Sequence, residues 1–282
     1  MSVRIITDSA SDILPGEHEG LVVLPLSVSF GEKNYSDGVD LSHERFYELL
    51  VEGDELPRTG QVNPYAFIQA FEEAYAAGDD VVCVTLSSAL SGTNQSAITA
   101  AAEAKVVVRV VDSMSVCVGE RVLVEYALHL AAEGLTAVQI ADELTAARSR
   151  ICVVGLLDTL EYLRRGGRIG AAAAGVGSLL SVKPVITVEN GAVKLLGQAR
   201  GSKNGRNLLN QQVMAAGGIN FDMPVALAYA GLSDKLLRKY IDDSRGIWEA
   251  GFPEGDLPVH TVGATIGTHV GPGAVALAFF KA

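Results

Sequence analysis

Cysteine, tryptophan, positive charge and long apolar runs are all scarce in this chain. Among 282 residues there are three cysteines and one tryptophan. Cys83, Cys117 and Cys152 are odd in number and widely separated, and two of them sit inside apolar runs. They read as buried thiols in a reducing compartment rather than as a disulfide framework. No apolar run approaches the roughly 20 residues of a membrane span. The N-terminal residues enter a strand without a charged segment followed by a signal-type apolar stretch, so a cytoplasmic location is expected. Lys and Arg number 22 against 33 Asp and Glu, a formal net charge of -11. That balance argues against non-specific binding to nucleic acid or to an anionic membrane surface.

The familiar catalytic signatures are missing as well. There is no G-x-x-x-x-G-K-S/T phosphate loop, no H-E-x-x-H, no paired C-x-x-C and no G-x-S-x-G elbow. Gly271-x-Gly273-x-x-Ala276 has the spacing of a dinucleotide fingerprint, but it precedes a terminal strand instead of a helix, so a nicotinamide or flavin site is not expected there. A metal pair at Asp8 and Asp12 lacks a His or a third acidic ligand at suitable spacing.

What the chain does have is apolar material: 49% hydrophobic residues and 20% charged, enough for a substantial core. Apolar runs of strand length alternate with amphipathic stretches, which predicts an α/β architecture with parallel pairing. Val3 to Thr7, Val22 to Phe30, Val81 to Leu86 and Val106 to Val111 read as strands. Helices are expected near 42–52, 64–77, 93–104, 119–133 and 137–148. Asn63-Pro64 opens the second and Gly78 follows its end, while Thr136 and Gln139 form a capping box. From Ile151 the pattern changes. Asp158 with Glu161 reads as the cap of a short helix ended by Gly166-Gly167. Pro184 to Glu189 and Ala192 to Gln198 flank Asn190-Gly191, a strong hairpin signal. Val225 to Tyr229, Val259 to Val262 and Ala274 to Phe280 are further strands, with a helical segment at 234–248. The expectation is two α/β domains, 1–150 with a parallel sheet and 151–282 with a mixed one.

Four groups of residues could carry chemistry. Ser87-Ser88-Ala89-Leu90-Ser91-Gly92-Thr93 follows a strand and opens a helix, so hydroxyls, free backbone donors and a helix dipole meet at one spot suited to an anion. An ordinary Ser-capped turn would read the same way. Asp8 and Asp12 end the first strand, where a carboxylate either faces a ligand crevice or satisfies local N–H groups and caps the next turn. Arg164, Arg165 and Arg168 cluster around Gly166-Gly167, with Arg200 downstream. Forked guanidinium donors suit carboxylate or phosphate, and a solvated helix terminus suits the same residues. His269 lies between glycines, in what reads as a loop close to a ligand or as a structural hydrogen-bonding position.

Five motifs in this order, Thr7-Asp8-Ser9 with Asp12, Thr59-x-Gln61, Ser87-Ser88-x-Leu90-Ser91-Gly92-Thr93, Tyr162-Leu163-x-x-Gly166-Gly167-Arg168-Ile169 and Gly267-Thr268-His269-x-Gly271-Pro272-Gly273, resemble the DegV family over essentially the whole chain. The resemblance implies a two-domain DegV-type α/β fold with a long-chain fatty acid between the domains. Its carboxylate would be held by Thr59 and Ser91, oriented by backbone donors at Gly92, with His269 nearby, and its tail buried in the second domain. Such proteins serve as the fatty-acid-binding subunit of a bacterial fatty acid kinase. They present the carboxylate to a separate ATP-using subunit that makes the acyl phosphate for phospholipid synthesis, without catalysis or a cofactor of their own. Arg168 and Arg200 match positions serving that kinase or the phosphorylated head group. Residues 170–177 with Leu179 and Leu180 could line the tail tunnel or form a packed helix. The family commonly has Thr-Ser-Gln-Pro where this chain has Thr59-Gly60-Gln61-Val62, which loses a hydroxyl and a backbone constraint. Other functions compatible with the residues are a hydrolase or acyltransferase using Ser91 with His269 as base, and a fatty acid sensor.

Overall fold

A computed structural model describes residues 2–53, 55–170 and 182–282. Up to residue 150 the elements are β1 (Val3–Asp8), β2 (Leu21–Leu24), β3 (Ser27–Phe30), β4 (Lys33–Ser36), α1 (His43–Glu52), β5 (Arg58–Gly60), α2 (Pro64–Ala77), β6 (Asp80–Thr85), α3 (Thr93–Ala101), β7 (Val108–Asp112), α4 (Val118–Ala132) and α5 (Ala137–Ala147). Beyond it come β8 (Ile151–Leu156), α6 (Glu161–Arg165), β9 (Val182–Glu189), β10 (Ala192–Arg200), α7 (Gly201–Ala215), β11 (Val225–Tyr229), α8 (Lys235–Asp243), α9 (Arg245–Trp248), β12 (Val259–Thr261), α10 (Ala264–Val270) and β13 (Val275–Phe280).

The strands up to Asp112 form a parallel sheet ordered β2-β1-β6-β7 and a small antiparallel sheet β4-β3-β5. Those from Ile151 onward form one mixed sheet, β10-β9-β8-β13-β11-β12. This is the mixed α/β fold expected, with a parallel first sheet and a mixed second one. The local signals act as their chemistry requires. Asn63 and Gly78 bound α2, Thr136 and Gln139 close their reciprocal box, and Asn190 and Gly191 both have positive φ, as a tight hairpin turn needs. Cys83 and Cys117 are buried and Cys152 is partly so, all as free thiols.

Several expectations are corrected. The run Val22 to Phe30 is two strands in two different sheets, because Pro25 has no N–H for a ladder and the Leu26 N–H turns to Ser9 Oγ at 3.0 Å. Asp158 does not cap α6. It pairs with Lys183, while the Glu161 N–H goes to Thr159 Oγ1 at 3.1 Å. The segment 234–248 breaks at Ser244, whose hydroxyl donates to Asn210 of α7 at 2.9 Å. Both α7 and α10 form in stretches where glycines mask the helical period.

The central helix α4 lies against β1 and β6 on one side and β8, β11 and β13 on the other, so it is buried almost all round. Beside it the loops at the carboxyl ends of the parallel strands carry buried carboxylates. Asp8 accepts the Ala10 and Leu86 N–H groups at 3.0 and 2.9 Å. Asp12 does not cap the following turn but reaches across to the Gly263 N–H, at 2.8 Å. Burial, helped by the charge of Asp37, raises the Asp12 carboxyl from 3.8 to about 7, against the opposing pull of its hydrogen bonds from Cys117 and Gly263 and the charge of Arg121.

Because its pKa is higher folded than unfolded, Asp12 adds stability that is complete below about pH 4 and lost as the pH rises toward 7. Asp12→Asn cannot ionise. The stability of the wild type minus that of the variant should therefore fall across this window by a few kcal/mol, at about 1.4 kcal/mol per pH unit. Urea unfolding at a series of pH values measures the difference, and a constant value would show that Asp12 titrates alike in both states.

Candidate functional site

A cavity lies where the two sets of sheets meet. Leu26, Leu86 and Leu90 enter it from one side, and Val153, Ile186 and Ile266 from the other. Along β8 the residues that face it are Val153, Gly155 and, just beyond, Leu157, alternating as strand geometry requires, and β13 contributes Ala276 beside Gly155. Gly155 and Ala276 give this part of the sheet a shallow floor. Against that apolar wall stand Thr59, Ser91, Arg168 and His269, which the fold brings into one cavity from β5, the loop before α3, the segment after α6 and α10.

Thr59 Oγ1 and His269 Nε2 are 3.0 Å apart. Burial, with the charge of Arg168 adding to it, lowers His269 to about 4, so the ring is neutral near pH 7. Its Nδ1 is buried without a partner among the described residues and faces the Cα of Gly166, where an added Cβ would lie 2.2 Å away. A proton on Nδ1 would be a buried orphan donor, whereas a bare lone pair costs less. The proton therefore belongs on Nε2, which donates to Thr59 Oγ1 and leaves the threonine O–H free to donate.

Ser91 is prepared in the same way. Its Oγ accepts the Thr93 N–H at 3.3 Å and lies 3.0 Å from Thr93 Oγ1. Thr93 is fully buried, and its Oγ1 accepts the Val62 N–H at 3.2 Å; in its contact with Ser91 either hydroxyl can donate. When Thr93 donates in that contact, both acceptor sites of Ser91 are filled and its proton is the group left to offer. Two hydroxyl donors next to one partly buried guanidinium make a site for an anionic oxygen pair at the rim of an apolar space.

Arg168 is part of this wall and also braces it. Its Nε donates to Leu90 O at 3.1 Å and its Nη1 to Gly166 O at 2.8 Å, and Nη2 has no partner among the described residues. Arg164 and Arg165 do not join it, since both are exposed and paired with Glu161 at 2.7 and 2.6 Å. Arg200 is also apart, exposed at the junction of β10 and α7. Gly92 is the N-cap of α3, exposed beside Ser91 and pressed against the Gln61 side chain.

His269 lies on a helix, α10, and not in a glycine-rich loop. The glycines act by close approach instead. Gly166 admits the imidazole, and Gly271 admits the ring of Tyr162, where an added Cβ would be 2.2 Å from Cδ2. The two motifs 162–169 and 267–273 are thus the two sides of one helix contact. The departures from the family pattern leave the hydroxyls in place. Gly60 points away from the Thr59 side of the strand toward Ser27 Oγ, which already holds a hydroxyl there, and Val62 supplies the N–H that Thr93 accepts. Of the residues read as lining a tail tunnel or forming a packed helix, 170–177 with Leu179 and Leu180, all but Gly170 lie outside the described residues. Sequence reasoning missed Thr93 and Val62 as supports of Ser91. Gly155 carried a readable signal, a glycine inside an otherwise apolar strand.

His269 Nε2 is engaged by Thr59 and not by Ser91, so the serine–histidine pair of a hydrolase is not formed. Among the described residues no group of three or more His, Cys, Asp or Glu could hold a metal ion, and no helix is long and apolar enough to cross a membrane.

The family model described as "Uncharacterised protein, DegV family" matches residues 2–282. A DegV domain-containing protein of Deinococcus radiodurans is 35% identical over 284 residues, covering 99% of this chain and 98% of that protein. A solved fatty-acid-binding DegV family protein of Thermus thermophilus superposes with a TM-score of 0.89 at 31% identity over 100% of both chains. The fold is shared as well by the Fatty Acid Kinase (Fak) B3 protein of Streptococcus pneumoniae, solved with linoleic acid, at a TM-score of 0.86 and 23% identity over 100% of both chains. With the family model spanning all but the first residue and relatives at this identity over nearly their full length, the chain belongs to the DegV family.

Proposed function

We propose that this protein binds one long-chain fatty acid with its carboxylate on Thr59 and Ser91, and presents that carboxylate to a separate, ATP-using kinase subunit for acyl phosphate formation. The observation that carries this reading is the pair of hydroxyls, Thr59 held at 3.0 Å by His269 and Ser91 held at 3.0 Å by Thr93, standing with Arg168 in a cavity lined mainly by apolar side chains. Fatty acid binding by the Thermus thermophilus relative supports it, and the kinase role draws on the likeness to the Fak B3 protein. Residues 1–150 would act as the domain carrying the head-group loops and 151–282 as the domain burying the tail, in a cytoplasmic carrier without intrinsic catalysis or cofactor.

Affinity and orientation then have separate sources. Burying each methylene contributes about 0.8 kcal/mol, on the order of 10 kcal/mol for a sixteen-carbon chain before ordering costs. A neutral hydrogen bond adds only about 1 kcal/mol net. The tail holds the ligand and the hydroxyls decide which way it points. Backbone donors at Gly92, at the positive end of the α3 dipole, would favour the negative head group further. Nη2 of Arg168 would meet the carboxylate or the new phosphate, while Arg200, exposed and outside the cavity, would meet the kinase surface.

Native mass spectrometry of gently purified protein should find one long-chain fatty acid per chain. Recovery of a nucleotide or sugar alone, with no fatty acid binding on titration, would refute the assignment, and release of chromophore from a chromogenic ester by the protein alone would favour the hydrolase.

Thr59→Val and Ser91→Ala should each leave the fold intact and weaken fatty acid binding by about 1 to 3 kcal/mol, since each removes a donor from a charged group. Isothermal titration reads the loss. Unchanged affinity in both variants would move the carboxylate elsewhere.

Arg200→Ala should keep fatty acid affinity within about tenfold, or 1.4 kcal/mol, while coupled ATP-dependent phosphorylation falls much further. Arg168→Ala should reduce both, because it also releases the Leu90 carbonyl of the head-group loop. Paired binding and phosphorylation assays separate the two arginines, and full activity of Arg200→Ala in both would leave that residue as ordinary solvated surface.

A further inference from the structure

We infer that Asp37 is a positioning residue for the head-group site: by accepting two N–H groups at the start of α10 it fixes where the far end of that helix sets His269 against Thr59. The inference rests on the carboxylate-binding reading above only for the purpose of that placement, since the placement itself is a property of the protein alone.

Helix α10 has seven residues, a rigid rod of about 10 Å. Its N-cap is Gly263, which has no side chain to serve the open N–H groups of the first turn. Those groups are satisfied from the other side of the molecule. The Gly263 N–H goes to Asp12 Oδ1 at 2.8 Å, the Ala264 N–H to Asp37 Oδ1 at 3.0 Å and the Thr265 N–H to Asp37 Oδ2 at 3.0 Å. Asp37 is 1% exposed, and its Oδ2 also receives the Ser9 hydroxyl at 3.2 Å.

A single hydrogen bond would fix the distance of the helix end but leave the rod free to turn. Two bonds from adjacent N–H groups to the two oxygens of one planar carboxylate fix the turn as well. The flank of the rod is closed by Phe46 and Tyr47 of α1. They meet it at Gly267, where an added Cβ would lie 2.5 Å from Phe46 Cε1, and the Tyr47 hydroxyl donates to Val262 O at 3.0 Å. With its start gripped and its flank blocked, α10 has one setting. In that setting His269, a turn and a half further on, reaches Thr59 at 3.0 Å. Rotation or withdrawal of the helix would carry the imidazole off Thr59 and leave the threonine hydroxyl free to reorient.

The test compares Asp37→Asn with Glu120→Gln in the full chain. Glu120 is another buried carboxyl, bonded to Thr7 at 3.2 Å and not hydrogen-bonded to α10 among the described residues, and burial raises its pKa so far that glutamine is a close stand-in. Two readouts are taken near pH 7.5. One is the imidazole nitrogen spectrum of His269 without ligand, assigned by its absence in His269→Ala. The other is the affinity for a fluorescent long-chain fatty acid. Asp37→Asn should shift the His269 Nε2 resonance and weaken binding about tenfold, whereas Glu120→Gln should change neither by more than about twofold in affinity. An unmoved His269 resonance in Asp37→Asn overturns the inference, whatever happens to affinity. A shifted resonance with His269→Ala binding as tightly as the wild type would leave the positioning intact and instead remove His269 from the head-group reading. If Asp37→Asn does not fold, Ala264→Pro deletes the N–H that Asp37 Oδ1 accepts at a helix position where proline is tolerated, and the same two readouts decide.

Discussion

Backbone N–H groups cannot be left unpaired in a dry interior, and the start of α10 shows how much of this protein follows from that constraint. Three consecutive N–H groups are buried between the two sets of sheets and find their partners on Asp12 and Asp37. The carboxylates must then be buried too, at a cost visible in the upward shift of Asp12. A similar exchange holds the other lip of the cavity, where Asp8 takes the Leu86 N–H just before the serine-rich loop. Asp8, Asp12 and Asp37 thus serve backbone N–H groups near the carboxyl end of the first parallel strand, and they set the two elements that carry Ser91 and His269.

The site itself works by subtraction. A hydroxyl can donate or accept, and in water it does both. Here His269 fills an acceptor site of Thr59 and the Thr93 N–H fills one of Ser91, so each hydroxyl can turn its proton to a bound oxygen. A neutral imidazole suits this role better than a charged one would. A cation at that depth would carry a desolvation cost, which a neutral ring avoids. The lowered pKa of His269 is the physical trace of that choice.

Small residues do most of the shaping. Gly155 and Ala276 flatten the floor of the cavity, Gly166 lets the imidazole reach its place, and Gly271 lets Tyr162 lock α6 onto α10. Each is a position where a side chain would take space that a neighbour already uses. The same logic accounts for Gly60, whose missing side chain faces Ser27 and not Thr59, so a change from the common family residue leaves the donor geometry alone.

Sequence by itself determined the alternation of strands and helices, the caps at Asn63 and Thr136, the Asn190-Gly191 hairpin and the motifs that carry Thr59, Ser91, Arg168 and His269, because all of these are written in local spacing and local hydrogen-bonding capacity. Tertiary structure decided the rest. Pro25 splits one apolar run between two sheets only because Ser9 is there to take the next N–H, and α10 is a helix despite its glycines only because Asp12 and Asp37 cap it from residues more than 200 positions away in the chain. Arg168 and Arg200 look alike in sequence, yet one braces the cavity wall and the other stands in solvent. Thr93 and Val62 gain their roles from a contact between the segment after β5 and the start of α3 that no spacing encodes. Local pattern fixes which groups a residue can offer, and only the packed fold determines which of those groups remain unspent.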